Sequence, residues 1–245
     1  GIKCETFEAY PLDWDTQYFQ VRSGKAVLKR TVPQEERTGL KNYLENFEFV
    51  TIVNSNNDRE NNTWIGKETK AFLTNINLQF TKQLTDHSDH YDQDAEIFEV
   101  YSHDESILNL GRNAFKYSRF YNDPWLPEDK AKNIYVHWIS SAFNKPNRNF
   151  TIVKRQGRVA GFLLFSINQE TMIAIIELIA VDEAYRGQRV GMSLIANTER
   201  FVRQKGVHFI RVGTQVDNFT AIKFYTACGY KLLECNSVYH FWPSK

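Results

Sequence analysis

Cysteine is scarce, neither sign of charge prevails, and no apolar run is long. Three cysteines, Cys4, Cys228 and Cys235, stand in no metal-like spacing, so a disulfide framework and a cysteine zinc site are set aside in favour of reduced thiols. No export signal precedes them, and the expectation is a cytoplasmic chain in which the Asn-x-Ser/Thr matches at Asn61, Asn149 and Asn218 are incidental. Gly1 stands where a Met would begin a translated chain, which suggests a cleaved tag or a segment already trimmed. Lys plus Arg number 30 against 29 for Asp plus Glu, with no basic run. A nucleic-acid partner would need a local excess, so none is expected. The most apolar stretches, 159–167 and 172–181, are strand-length, far short of the roughly 20 residues that span a bilayer, and no membrane partner is expected either.

What is present is material for a core. Hydrophobic residues make up 42% and aromatics 14% of the 245 residues, which suits one domain with a large addition, or two compact ones. Residues 1–94 read as a small N-terminal α/β domain that would assist substrate binding or assembly. It has strand-like pieces at 7–10, 18–21 and 25–28, a helix from Pro33 to Phe47 and a strand at 49–53. A solvated Asn-rich loop at 54–63 and a Phe/Leu mixture of weak alternation up to Leu84 complete it. Residues 84–94 are polar and form the candidate linker. His87 and His90 among its aspartates raise the thought of a metal, but a solvated run that nothing orients argues for none. From 95 to 245 the pattern is strand, two helices, then three strands with turns at Gln156-Gly157 and Asn168-Gln169. A helix over 189–205, a strand at 208–213, a helix capped at Asn218, and a hairpin of 230–234 with 238–242 follow.

The stretch 177–192 organises the rest. An apolar strand ends at Asp182-Glu183, and a short glycine-bearing turn runs into a helix. Unpaired backbone N–H groups and the positive end of a helix dipole then meet at one point, which suits a phosphate. Gly187 and Gly191 let the main chain approach a bulky pyrophosphate, and Arg186 and Arg189 add charge. The run Tyr185-Arg186-Gly187-Gln188-Arg189-Val190-Gly191 resembles the acetyl-CoA pyrophosphate loop of the GCN5-related N-acetyltransferases (GNAT). Arg189 stands where the family's first glycine is expected, and the loop survives if that position is already helical. Asn218-Phe-Thr-Ala-Ile-Lys-Phe-Tyr225-Thr-Ala-Cys-Gly-Tyr230 resembles the family's Asn-x-x-Ala-x-x-x-Tyr-x-x-x-Gly-Phe/Tyr motif without a mismatch. Asn218 and Tyr225, about two helical turns apart, share a face.

That resemblance implies the GNAT fold for 95–245: α/β (α+β), a mixed, mostly antiparallel central sheet with flanking helices. It implies acetyl-CoA as co-substrate, no metal, and transfer of an acetyl group to a primary amine. The coenzyme would lie against Ile179, Ala180, Val181, Arg186, Gly187, Gln188, Arg189, Val190, Gly191, Met192, Asn218, Ala221 and Phe224. Tyr225 would return a proton to the leaving thiolate. A thiol near ~8.5 and a phenol near ~10 make that transfer uphill by only ~2 kcal/mol. A core aromatic is the plain alternative for Tyr225. An amide of Ile179 or Val181 would steady the oxyanion. Glu177 is the candidate base, with strand parity placing it on the side of Ile179 and Val181; a carboxylate paired to a neighbour is the equal alternative.

A closer resemblance covers most of the chain. Tyr10-Pro11-Leu12-Asp13-Trp14, Ser118-Arg119-Phe120, His137-Trp138 and Arg211-Val212-Gly213-Thr214-Gln215 are similar to the bacterial dTDP-fucosamine acetyltransferases. The implied acceptor is an amino-deoxy sugar on a dTDP carrier, with Arg119, Phe120, Tyr121 and Trp125 suited to diphosphate and sugar; a loop capping the core is the other reading of these four. A protein, polyamine or other small amine as acceptor, and a non-catalytic acyl-CoA-binding module, stay open as alternatives. So does a homodimer.

Overall fold

The structure, a computed structural model, describes residues 1–85 and 95–245. His87 and His90 lie outside the described residues. Along the chain run β1 (Ile2–Lys3), β2 (Phe7–Pro11), α1 (Asp13–Phe19), β3 (Ser23–Leu28), α2 (Gln34–Leu44), β4 (Phe49–Asn54), α3 (Arg59–Glu68) and β5 (Phe72–Gln83). Then come β6 (Ala95–Phe98), α4 (Glu105–Ala114), α5 (Glu128–Ala142), β7 (Asn149–Arg155), β8 (Arg158–Asn168), β9 (Ile173–Val181), α6 (Val190–Gln204), β10 (Phe209–Gln215), α7 (Phe219–Ala227) and β11 (Lys231–Phe241).

All of these strands join one 11-stranded sheet in the order β1-β2-β3-β4-β11-β5-β10-β9-β8-β7-β6. Helices α2, α3, α6 and α7 cover one face, where Leu40, Trp64, Leu194 and Tyr225 pack. Helices α1, α4 and α5 cover the other, over Phe19, Ile107 and Ile139. Local rules account for most elements. Gln156 and Gly157 both take positive φ, as the two-residue β7–β8 hairpin requires. Asp104 caps α4 by accepting from the Ser106 N–H, and Gly206 at φ 87 ends α6.

Two halves of the chain repeat one plan. In β3–α2–β4 and in β9–α6–β10 a helix connects two parallel strands, and each unit continues through a second helix into a long strand. The long strands are exchanged: β5 pairs with β10, β11 pairs with β4, and the two pair with each other. The sheet therefore runs unbroken across the sequence division at residue 94.

Three sequence expectations fail here. The closing hairpin is instead the single strand β11, because β5 from the N-terminal part already occupies the place its other arm would take. Tyr18 and Phe19 lie in α1 rather than a strand, since Asp13 and Asp15 favour a helix start and Gln20 in the left-handed region ends it. The Asn-rich 54–63 is mostly a short turn and α3, with Asn54 and Asn61 fully buried and bonded to each other and to main chain. Composition reads such asparagines as solvated; their hydrogen bonds make burial tolerable.

Candidate active site

The halves differ at one place. Strands β3 and β4 stay paired from Ser23↔Phe49 to Leu28↔Asn54. Strands β9 and β10 pair only from Ile173↔Phe209 to Ile176↔Val212 and then part. Beyond Ile176 the β10-facing edge of β9 has no strand partner, and a cavity of about 1030 Å³ passes through the sheet at this gap.

On the α6/α7 face the cavity meets the α6 N-terminus. The first intrahelical bond is donated by the Ser193 N–H to Arg189 O at 3.0 Å, which leaves the amides of Val190, Gly191 and Met192 without helical acceptors. Arg189 precedes the helix at φ 59, ψ 20. The expectation that it is already helical is corrected: the position keeps the left-handed geometry that glycine favours, and arginine bears the strain. A Cβ on Gly191 would lie 3.1 Å from the Phe224 ring, so α6 and α7 meet there only through glycine. Orphaned amides, a close-packed glycine and the Arg189 charge fit a pyrophosphate. Arg186 also lines the cavity but pairs with Glu183 at 3.2 Å. Gln188 is exposed and is not in the lining.

Helix α7 brings Asn218, Ala221, Phe224 and Tyr225 to the same cavity. Asn218 Oδ1 accepts from the Ala221 N–H at 3.1 Å and caps the helix. Tyr225 is 4% exposed and lines the cavity. Burial first, and Cys228 second, push its phenol above its ordinary value of 10.0.

On the α4/α5 face the cavity widens into a trough over β10, β5, β11, β4 and β3. Glu177 stands at its gap end, and its side is a correction. The β8–β9 register shifts between Leu164↔Leu178 and Phe165↔Ile176, which makes Glu177 the extra residue of a bulge. Ile179 and Val181 therefore face the α6/α7 core, whereas Glu177 accepts from Trp138 Nε1 at 3.2 Å and pairs with Arg148 Nε at 2.9 Å on the α5 side. Strand parity cannot register an inserted residue.

Arg119 and Phe120 reach the trough; Tyr121 and Trp125 do not line it. Trp125 packs edge-on to Phe72 and Trp242, and Tyr121 Oη donates to Phe115 O. Arg119 Nη1 donates to Thr51 Oγ1 at 3.2 Å and to His240 Nε2 at 2.7 Å, and its guanidinium lies 4.0 Å over the Phe120 ring. His240 donates through Nδ1 to Asp123 Oδ2 at 2.6 Å. Burial, with Arg119 adding to it, outweighs Asp123 and holds the imidazole neutral, at about 4.

Arg211, from the Arg211–Gln215 resemblance, also lines the trough, as do Lys25, Thr51, Asn75, Asn77 and Gln79, which no motif picks out. A signal was available, because Asn75-x-Asn77-x-Gln79 alternates with Ile76, Leu78 and Phe80.

Residues 114–230 match the model of a family described as "Acetyltransferase (GNAT) family". The strand order and the parted strands agree with that match, and over this region the chain resembles the GNAT acetyltransferases. Among relatives, it is 29% identical over 159 residues to the spore coat polysaccharide biosynthesis protein SpsD of Bacillus subtilis strain 168, covering 63% of this chain and 54% of that one. It is 30% identical over 90 residues to an aminoalkylphosphonate N-acetyltransferase of Salmonella typhimurium, covering 35% and 58%. The chain thus spans little more than half the length of these relatives. A GCN5-related N-acetyltransferase from Sphaerobacter thermophilus has the same fold, with a TM-score of 0.66 at 12% identity over 96% of this chain and 76% of that one.

Proposed function

We propose that this protein is an acetyl-CoA-dependent N-acetyltransferase for a primary amine, with a nucleotide-linked amino-deoxy sugar as the best-supported acceptor. One observation carries it: the cavity crosses the sheet at the gap between β9 and β10, with a phosphate cradle and a phenol on one face and a carboxylate on the other. Acetyl-CoA would supply an activated acetyl thioester there. The amides of Val190, Gly191 and Met192 and the Arg189 charge would hold its pyrophosphate, and Asn218, Ala221 and Phe224 would line its arm. An amide of Ile179 or Val181 would donate to the carbonyl oxygen from the unpaired edge of β9.

Tyr225 holds its proton on the coenzyme face, where it can protonate the departing sulfur. Glu177 lies on the acceptor face, where an amine proton must go. The two groups stand on opposite sides of the gap, as direct attack of a neutral amine needs. Residues 1–94 would serve the acceptor, since Lys25, Thr51, Asn75, Asn77 and Gln79 come from them. The sugar assignment draws on the SpsD relative, whose name places it in polysaccharide biosynthesis.

A thiol-release assay with acetyl-CoA and a panel of nucleotide-linked amino sugars tests the reading. Tyr225→Phe is expected to lower kcat by about 10²–10⁴ with acetyl-CoA affinity retained. Tight coenzyme binding without thiol release for any amine would favour the non-catalytic module.

A further inference from the structure

Among the described residues, Lys25, Arg119 and Arg211 of the trough have no carboxylate in ion-pair contact. Lys25, on β3, makes neither a hydrogen bond nor an ion pair among the described residues, yet it is half-buried against the cavity. Arg119 spends Nη1 on Thr51 and His240, both neutral, and its other nitrogens have no hydrogen-bond partner among the described residues. Arg211 has a buried Nε with no acceptor. Lys25 and Thr51 are direct neighbours in the β3–β4 register, so Arg119, bonded to Thr51, stands beside Lys25. The two are close enough that Arg119, after burial, lowers the affinity of Lys25 for its proton. Asp15 is the carboxylate whose field they share, but it forms no ion pair with either and is not part of the lining.

Desolvating a cation without a counterion is costly, and proteins ordinarily pair or expose such groups. Here the deficit points into a cavity. Asn75 Oδ1, also buried without a donor, lies on the same floor. Among the described residues, the carboxylates of the lining are Glu177, already paired with Arg148, and Glu234 at the β11 end.

We infer that Lys25 and Arg119 form an anion subsite at the far end of the trough, which holds a phosphate or carboxylate group of the acceptor while its amine reaches the gap. This rests on the acetyltransferase reading for the word acceptor, though the subsite itself does not. It gives the N-terminal half a direct part in specificity through Lys25. It also disfavours a polyamine, whose further charges would face cations, and favours an amine carried on an anionic group.

The test uses the full chain saturated with coenzyme A, so that the α6 cradle is filled. Thymidine diphosphate, inorganic pyrophosphate and succinate are titrated calorimetrically, the first two representing phosphate and the last carboxylate. At least one is expected to bind the saturated protein, and Lys25→Met to weaken that binding at least tenfold with the coenzyme A affinity unchanged. Arg119→Lys, which keeps the charge but loses the fork, should weaken the diphosphates more than succinate. Binding of every probe unaltered by Lys25→Met, or no binding once coenzyme A is bound, would overturn the subsite. Failure of acetyl-CoA itself to bind the unaltered protein would instead overturn the acetyltransferase reading, and the probe titrations without coenzyme, read through Lys25→Met, would still decide the subsite.

Discussion

Tyr225 enters the cavity with its proton held more tightly than a free phenol would hold it. Burial raises it above 10.0, so the acid form persists throughout the neutral and mildly alkaline range. No alkaline fall in kcat/KM is therefore expected from Tyr225 below pH ~10, and any rise should follow the loss of the amine's proton. Glu177 is the residue whose part the profile can decide. Its ion pair with Arg148 and the hydrogen bond from Trp138 would be made by a purely structural carboxylate as well. If Glu177 takes the amine's proton, Glu177→Gln lowers kcat/KM by about 10²-fold or more at every pH where the amine is neutral. An unchanged kcat/KM would leave Glu177 to the packing of α5 against β9.

The turn between β9 and α6 works as a unit, and its weakest link is Arg189. A non-glycine residue in the left-handed region costs about 1–2 kcal/mol, which is tolerable where the side chain supplies charge to the cradle. Arg189→Gly is expected to raise the melting temperature by a few degrees and to weaken acetyl-CoA binding several-fold, read by thermal denaturation and by calorimetry. A variant that loses stability would show that the arginine side chain holds the turn. This turn and α7 were legible in the sequence because their signals are local: glycines, a cap and helical spacing within a dozen residues. The bulge at Glu177 was not, since one inserted residue leaves composition untouched while reversing which face follows. Arg119 was legible as a residue, but its partners Thr51 and His240 are far away in the chain.

At the scale of the whole molecule, the exchange of β5 and β11 was the least legible feature, because pairing across the sheet leaves no local pattern, and it makes the catalytic half dependent on the other. Both coenzyme motifs lie within 95–245, yet the edge of β10 opposite β9 is completed by β5. Leu78 and Phe80 of β5 pack in the same cluster as Val212 and Tyr225, and burying two such side chains is worth about 3–6 kcal/mol. Lys82 pairs with the buried Glu199 of α6 at 2.8 Å, and Glu199 also accepts from Tyr230 Oη at 3.0 Å. Losing the charge-assisted bond from this partly exposed lysine costs about 1.5–3 kcal/mol. Together these losses rival the whole 5–15 kcal/mol stability of an ordinary domain. A polypeptide of residues 95–245 alone is thus expected to be unfolded or aggregated by circular dichroism and size-exclusion chromatography. Co-expression with residues 1–94 as a separate chain should restore a soluble complex that binds acetyl-CoA. A folded 95–245 with unchanged coenzyme affinity would mean that β11 alone can close the sheet, as a hairpin arm folded back on itself, and that the exchange is dispensable to the site.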